Sequence, residues 1–421
     1  MVYKNFRHKL VALTALFLTT LVLIVVSFSL LSTGAEVVVK RLGNPLLNDG
    51  FKNRALNVWD LQAFDGKIYL GGGSTVANAG PINVWAYNPE AKKFSKEFTV
   101  DEEAIEHYRV FGDRLYIPAA DPVKGNKTKF YWRETDGQWS KQASKVVKLA
   151  HVRDLLLTND NDLLLVGNSN KPEEKSSRGT AIATPTADGW SFKTAGVKNV
   201  TSQEIILADF NWFFSVFEYQ NQIFATSSML RDADNYPGAV SRYNPQTKKF
   251  TLNFELHSDE FIPENMLAQG GKLGIEVVYR PWHPVEFQNY LVYPVRSYSN
   301  SRSNYKKAYM NSIGCFIKSG MGSSPQELSL PQQALGEDVL VVDRELYVLA
   351  NQKERDNKFI ISVFKTKRLD RKIEWEEILQ FSNASKARSF EYLDGTFYFG
   401  LGQDYVEAIA NSGDILSYTP R

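Results

Sequence analysis

Residues 85–98 read WAYNPEAKKFSKEF, and residues 241–254 read SRYNPQTKKFTLNF. The shared YNPxxKKF begins at Tyr87 and again at Tyr243, which marks an internal repeat. In each copy an alternating run stops at Asn-Pro, a pair that opens a turn, and alternation resumes at the phenylalanine. The motif therefore joins two strands, and its lysine pair sits at an exposed edge.

Working outward, residues 57–63 alternate, Asp65-Gly66 turns the chain, and 67–71 alternate again. Asp-Gly between two apolar runs is a strong hairpin signal, because both turn positions favour positive φ. With the strands on either side of Asn88-Pro89, this makes four short strands in about 45 residues. The same hairpin recurs at 110–119, 158–167, 218–227, 286–295, 341–350 and 391–400. Its second-strand residues are Ile68, Leu115, Leu163, Ile223, Leu291, Leu346 and Phe397, spaced 47 to 68 residues apart. Outer-strand aromatics keep step at Phe94, Trp139, Trp190, Phe250 and Trp375.

Units of this size cannot bury both faces alone. Set radially, they leave only short, protected edges. The expected fold is all-β, a β-propeller of seven four-stranded blades over residues 55–421, with 36–54 as a linker or closing segment. The fifth unit is irregular, since MLAQGGKLGIEVVYR at 266–280 reads as an additional hairpin. The unit at 55–100 resembles a kelch repeat in its IYLGGG followed by VWAYNPEAKKF. That resemblance implies a propeller and no particular activity.

The chain has 421 residues, 43% of them hydrophobic, so a folded repeat array has ample apolar material for its core. The net charge is +2, which gives no field for nucleic acid. Cys315 is the one cysteine, so no intramolecular disulfide or multi-cysteine zinc motif exists, and a small buried side chain is its expected role. Residues 1–35 form a separate segment. Lys4, Arg7 and Lys9 precede an uncharged apolar run from Leu10 to Leu31. As a helix that run is about 33 Å long, enough to cross a bilayer. The basic flank favours the cytoplasm, so the body is expected on the periplasmic or extracellular side. An uncleaved anchor is favoured by the length of the run; cleavage after the small residues at 32–35 would give a secreted body.

Long second-to-third loops are expected at 119–129, 168–179, 228–238, 296–307 and 351–358, all on one face. Together they carry +7 on a chain whose total is +2. An anionic glycan, a lipid headgroup or an acidic protein surface would suit such a face. The richest stretch, RSYSNSRSNYKK, offers Arg296, Tyr298, Arg302, Tyr305, Lys306 and Lys307; upstream, YRPWHP adds Trp282 and His283. Arginine grips carboxylate or sulfate through two bonds, and tyrosine stacks on sugar faces.

None of the five histidines forms HExxH or a pair at ligand spacing, and no phosphate loop or G-x-S-x-G occurs. The sequence thus calls for no cofactor, no metal and no catalytic residue. It favours an exported, membrane-tethered binding module. The alternative is a carbohydrate-active enzyme (lyase, mutarotase or glycosidase) whose acids converge at the propeller axis from several blades.

Overall fold

The computed structural model describes residues 38–420 other than 53–54, 76–78, 124–128, 144–148, 170–179, 187–188, 195–212, 228, 232–238, 258–260, 264–275, 301–308, 355–357, 371 and 404–409. The apolar run at 10–31 lies outside these residues. Among the described residues no helix is long and apolar enough to cross a membrane.

Lys40–Arg421 forms one unit built of seven antiparallel sheets. Sheet 1 comprises Asp60–Phe64, Lys67–Gly71, Ile82–Asn88 and Lys93–Val100, in that order from inside to outside. Sheets 2, 3, 4 and 6 repeat the pattern over Arg109–Ala143, Leu149–Thr194, Phe213–His257 and Leu335–Asn383. This is a seven-bladed β-propeller with four-stranded blades, as the repeat predicts. Sheet 5 departs from the pattern in a specific way. Its innermost strand is split into Glu276–Pro281 and Val285–Phe287, both paired with Tyr290–Asn300. A short strand from the sheet 4 loop, Met229–Arg231, joins its inner side, and Gln326–Glu327 lies on its outer edge.

Sheet 7 closes the ring. Lys386–Leu393, Thr396–Gly402 and Ile415–Tyr418 supply three strands, and Lys40–Gly43, from the other end of the unit, supplies the fourth. Arg41 grips Asp414 with two nitrogens, and Asn44 donates to the Ser412 carbonyl. The 3-10 turn Pro45–Asp49 follows. Its Leu46 is buried in a cluster with Leu70, Tyr87, Tyr398 and Ile415, which bridges sheets 1 and 7.

The repeated motif forms the same structure twice. Asn88 Oδ1 accepts from the Ala91 N–H at 2.8 Å, and Asn244 Oδ1 from the Thr247 N–H at 2.9 Å. Lys92 and Lys248 both take φ 51°. Tyr87 pairs with Phe94 across the turn, and Tyr243 with Phe250, at ring separations of 5.0 and 5.4 Å. Each tyrosine then wedges against the preceding sheet, Tyr87 on Tyr398 and Tyr243 among Leu164, Val166 and Ile182. The motif is thus a joint between neighbouring blades.

Of the expected second-strand residues, Ile68, Leu115, Leu163, Leu291, Leu346 and Phe397 are buried. Cys315 is buried beneath Gly336, where a Cβ would stand 2.2 Å from its sulfur.

Candidate functional site

The innermost strands are irregular where they begin. In sheets 3, 4, 6 and 7 the register shifts at Arg153, Phe214, Glu337 and Arg388. In sheet 1 both Trp59 and Asp60 oppose Gly71. In sheet 5 Trp282 donates its N–H to the Pro294 carbonyl before His283, at φ 42°, swings the chain out of register. An extra residue in one strand bends it and re-aims a side chain. Here those side chains meet one another. Arg388 lies 4.3 Å over the Trp59 ring, Arg280 3.7 Å over Phe214, and Arg296 3.9 Å over Trp282. Arg296 also lies 3.5 Å from Glu337, which Lys386 contacts at 3.1 Å.

The residue after the bulge faces the next blade. Asp60 accepts from the Tyr108 N–H at 2.6 Å, Asp154 from Val216 at 3.0 Å, and Asp338 from Phe390 at 3.3 Å. Glu391 does the same to Ala63 at 2.9 Å, joining sheet 7 to sheet 1. Asp154 is further held by Arg109 through two nitrogens, both at 2.9 Å. These carboxylates are latches between blades, and burial without such partners would cost several kcal/mol each.

Asp60 and Asp338 have a second set of contacts. His283 Nδ1 lies 3.1 Å from Asp338 Oδ1, and its Nε2 lies 3.9 Å from Asp60 Oδ1. The same Nε2 is 2.7 Å from His107 Nδ1. His107 lies just before the first strand of sheet 2 and His283 in the break of the inner strand of sheet 5; these sheets are not neighbours in the ring, so this contact spans the hub. Trp282 backs it, with its ring 4.1 Å from that of His107. Two histidines and two aspartates from sheets 1, 2, 5 and 6 thus form one cluster.

Burial pushes the Asp60 carboxyl up to about 6, with Asp338 adding to the shift and His283 and the Tyr108 N–H opposing it. Burial, then His283, Arg109, Arg296 and Arg280, hold His107 well below the usual imidazole range, so its ring is neutral. A carboxylate only accepts, so the hydrogen on His283 Nδ1 points at Asp338. One proton then lies between the two rings. The side chain of His283 keeps 13% of its exposure, whereas Asp60 and Asp338 keep 5% and 3%.

The sequence offers Trp282, His283 and Arg296 as ligand-binding candidates, with Arg296 in a solvated loop. The structure brings these three together, but inside the hub. Arg296 is fully buried, since it lies in a strand running to Asn300, and the expected loop at 296–307 is correspondingly shorter. The charge that suggests solvent is neutralised by Glu337 and covered by Trp282. The Tyr298 backbone pairs with Val278 and Met310 in sheet 5. Arg302, Tyr305, Lys306 and Lys307 lie outside the described residues, as does most of the predicted basic rim. His107 and His283, which no ligand spacing links in the sequence, are adjacent in space. Asp60, His107 and Asp338 carry no sequence motif. Asp60 and Asp338 lie within innermost strands and His107 two residues before one, so no local pattern sets them apart.

No family model matches the chain, and no curated protein matches it. Among solved structures it is similar to the β-propeller domain of the Trilobed protease from Pyrococcus furiosus, at 11% identity and a TM-score of 0.44, covering 88% of this chain and 95% of that one. It is also similar to polysaccharide lyase Uly1, at 9% identity and a TM-score of 0.44, covering 87% and 90%. Such values describe the arrangement of sheets and carry nothing about chemistry.

Proposed function

We propose that the axial cluster is the working centre of a carbohydrate-active enzyme, the alternative class raised by the sequence. What supports this reading is convergence. His107, His283, Asp60 and Asp338 come from four blades and meet in the hub, where aliphatic side chains would pack without any desolvation cost. Latching alone explains Asp60 and Asp338; it does not explain two imidazoles set between them. Groups that hold and pass protons are what elimination or hydrolysis at a sugar ring requires.

The test is a turnover screen of the full-length chain on acidic and neutral polysaccharides, reading unsaturated products and new reducing ends. Activity that falls at least about 100-fold in His283→Gln, with the melting temperature kept, is the expected result. Absence of turnover on every substrate, or turnover unchanged in that variant, rejects the reading.

One observation favours a second reading. Asp60, His107 and Asp338 are all buried, which suits a hub that only holds blades together. The chain is then a binding module for an anionic glycan, lipid headgroup or acidic protein, gripped by the stretch around Arg302, Tyr305, Lys306 and Lys307. Its retention on a polyanion column would fall as salt rises. In either case we propose that residues 10–31 tether an exported body to the membrane. Protease added to intact cells should degrade the body; complete protection would refute export.

A further inference from the structure

The geometry points to a divalent first-row transition metal ion bound by His107 Nδ1, His283 Nε2 and Asp60 Oδ1, with Asp338 as the carboxylate that orients His283. It rests on the axial cluster being the working centre and names what that centre holds.

The three donor atoms lie within 4.8 Å of one another, and they come from three blades. Two imidazoles and one carboxylate form a donor set suited to such ions, leaving a further coordination position for water or substrate. The surroundings match a metal site in two independent ways. Metal-ligating histidines donate their other nitrogen to a carboxylate, and His283 does so to Asp338 at 3.1 Å. Ligating carboxylates are themselves hydrogen-bonded, and Asp60 takes the Tyr108 N–H on Oδ2, which leaves Oδ1 turned toward His283.

Closing the set on an ion parts the two nitrogens slightly and draws the Asp60 carboxylate in from 3.9 Å of His283 Nε2. With metal–nitrogen bonds of about 2.0–2.1 Å at a tetrahedral angle, the two nitrogens stand about 3.3 Å apart. They are now 2.7 Å apart, at hydrogen-bond length. Entry of the ion replaces the proton between the rings. His107 is neutral and shifts its hydrogen from Nδ1 to Nε2, and His283 keeps its own on Nδ1 against Asp338.

The other described histidine with an acidic partner, His151, lies 3.3 Å from Asp121 and serves as an internal control. The full-length chain, stripped with chelator, is titrated with Co2+ while visible d–d bands and the melting temperature are followed; Zn2+ is then added. The expected result is one equivalent of Co2+ giving tetrahedral-type bands, displaced by Zn2+, with a raised melting temperature. His107→Gln and His283→Gln should abolish the bands. Asp338→Asn should weaken binding by about 10–100-fold. His151→Gln should bind as the parent does.

A parent chain without bands or thermal shift overturns the inference, and so do bands that survive in both His107→Gln and His283→Gln. Should those two variants fail to fold, Asp338→Asn decides, because parental affinity there is also a refutation. Metal binding without turnover on any substrate leaves the site standing and removes the enzymatic reading. Turnover that persists in the fully stripped chain leaves the enzymatic reading standing and removes the ion from the reaction, while the bands alone decide binding.

Discussion

Glu102 is buried at a joint between sheets 1 and 2, where the Tyr131 hydroxyl donates to it at 2.9 Å. Burial raises its carboxyl to about 8 from an ordinary 4.5. The folded state therefore prefers the protonated form more strongly than the unfolded chain does. That preference is a stabilising contribution, complete below pH 4.5 and lost as the pH rises through 8, worth roughly 4–5 kcal/mol across the window. Glu102→Gln keeps the oxygen facing Tyr131 and removes the titration. Denaturant midpoints from pH 4.5 to 8 should decline in the parent and stay flatter in the variant; parallel curves would count against the assignment. Single residues were also where the sequence was hardest to read. Arg296 and His283 look like surface groups in a linear string, because a buried charge is recognised only by its partners, and Glu337 and Asp338 lie more than 40 residues further on.

The first-to-second strand hairpins show how the repeats became legible. At Asp65-Gly66, Gln220-Asn221, Gln288-Asn289, Asp343-Arg344 and Asp394-Gly395 both central residues have positive φ, between 48° and 79°. That is the turn whose twist matches the flanking strands, and Asp-Gly announces it directly. Where the turn is Asp343-Arg344 the same backbone is imposed on a residue that disfavours it, with φ 64° on an exposed arginine. Arg344→Gly should stabilise the fold by about 1 kcal/mol. Urea unfolding would show it, and a loss of stability would mean that the arginine makes contacts worth more than the strain. The hairpins, and with them the seven blades, were readable because turn chemistry is local. The broken inner strand of sheet 5 was not. Trp282-His283-Pro284 interrupts it for the sake of the hub, a demand set by other blades.

At the scale of the whole molecule, two features depend on residues far apart in the chain. One is the hub, whose members Asp60, His107, His283 and Asp338 are drawn from sheets 1 to 6. No spacing rule links them, and only ring closure brings them together. The other is the join between sheets 7 and 1. Leu46 fills the space over Gly72, where an added Cβ would meet its side chain at 2.7 Å. Leu46→Ala should cost about 2–5 kcal/mol, read as a shift in the denaturant midpoint. A cost under about 1 kcal/mol would mean that the join is not part of the cooperative core.

The closing strand carries a mechanical consequence. It is held by three residue pairs, Lys40 with Ser417, Arg41 with Leu416 and Gly43 with Ile415. Because the strands are antiparallel, the two ends of the wheel leave the seam at the same corner. A pull applied between them loads the pairs one after another, as in a zipper, and never all together in shear. Stretched by its ends, the ring should part first at this seam, at low force, before any blade unravels.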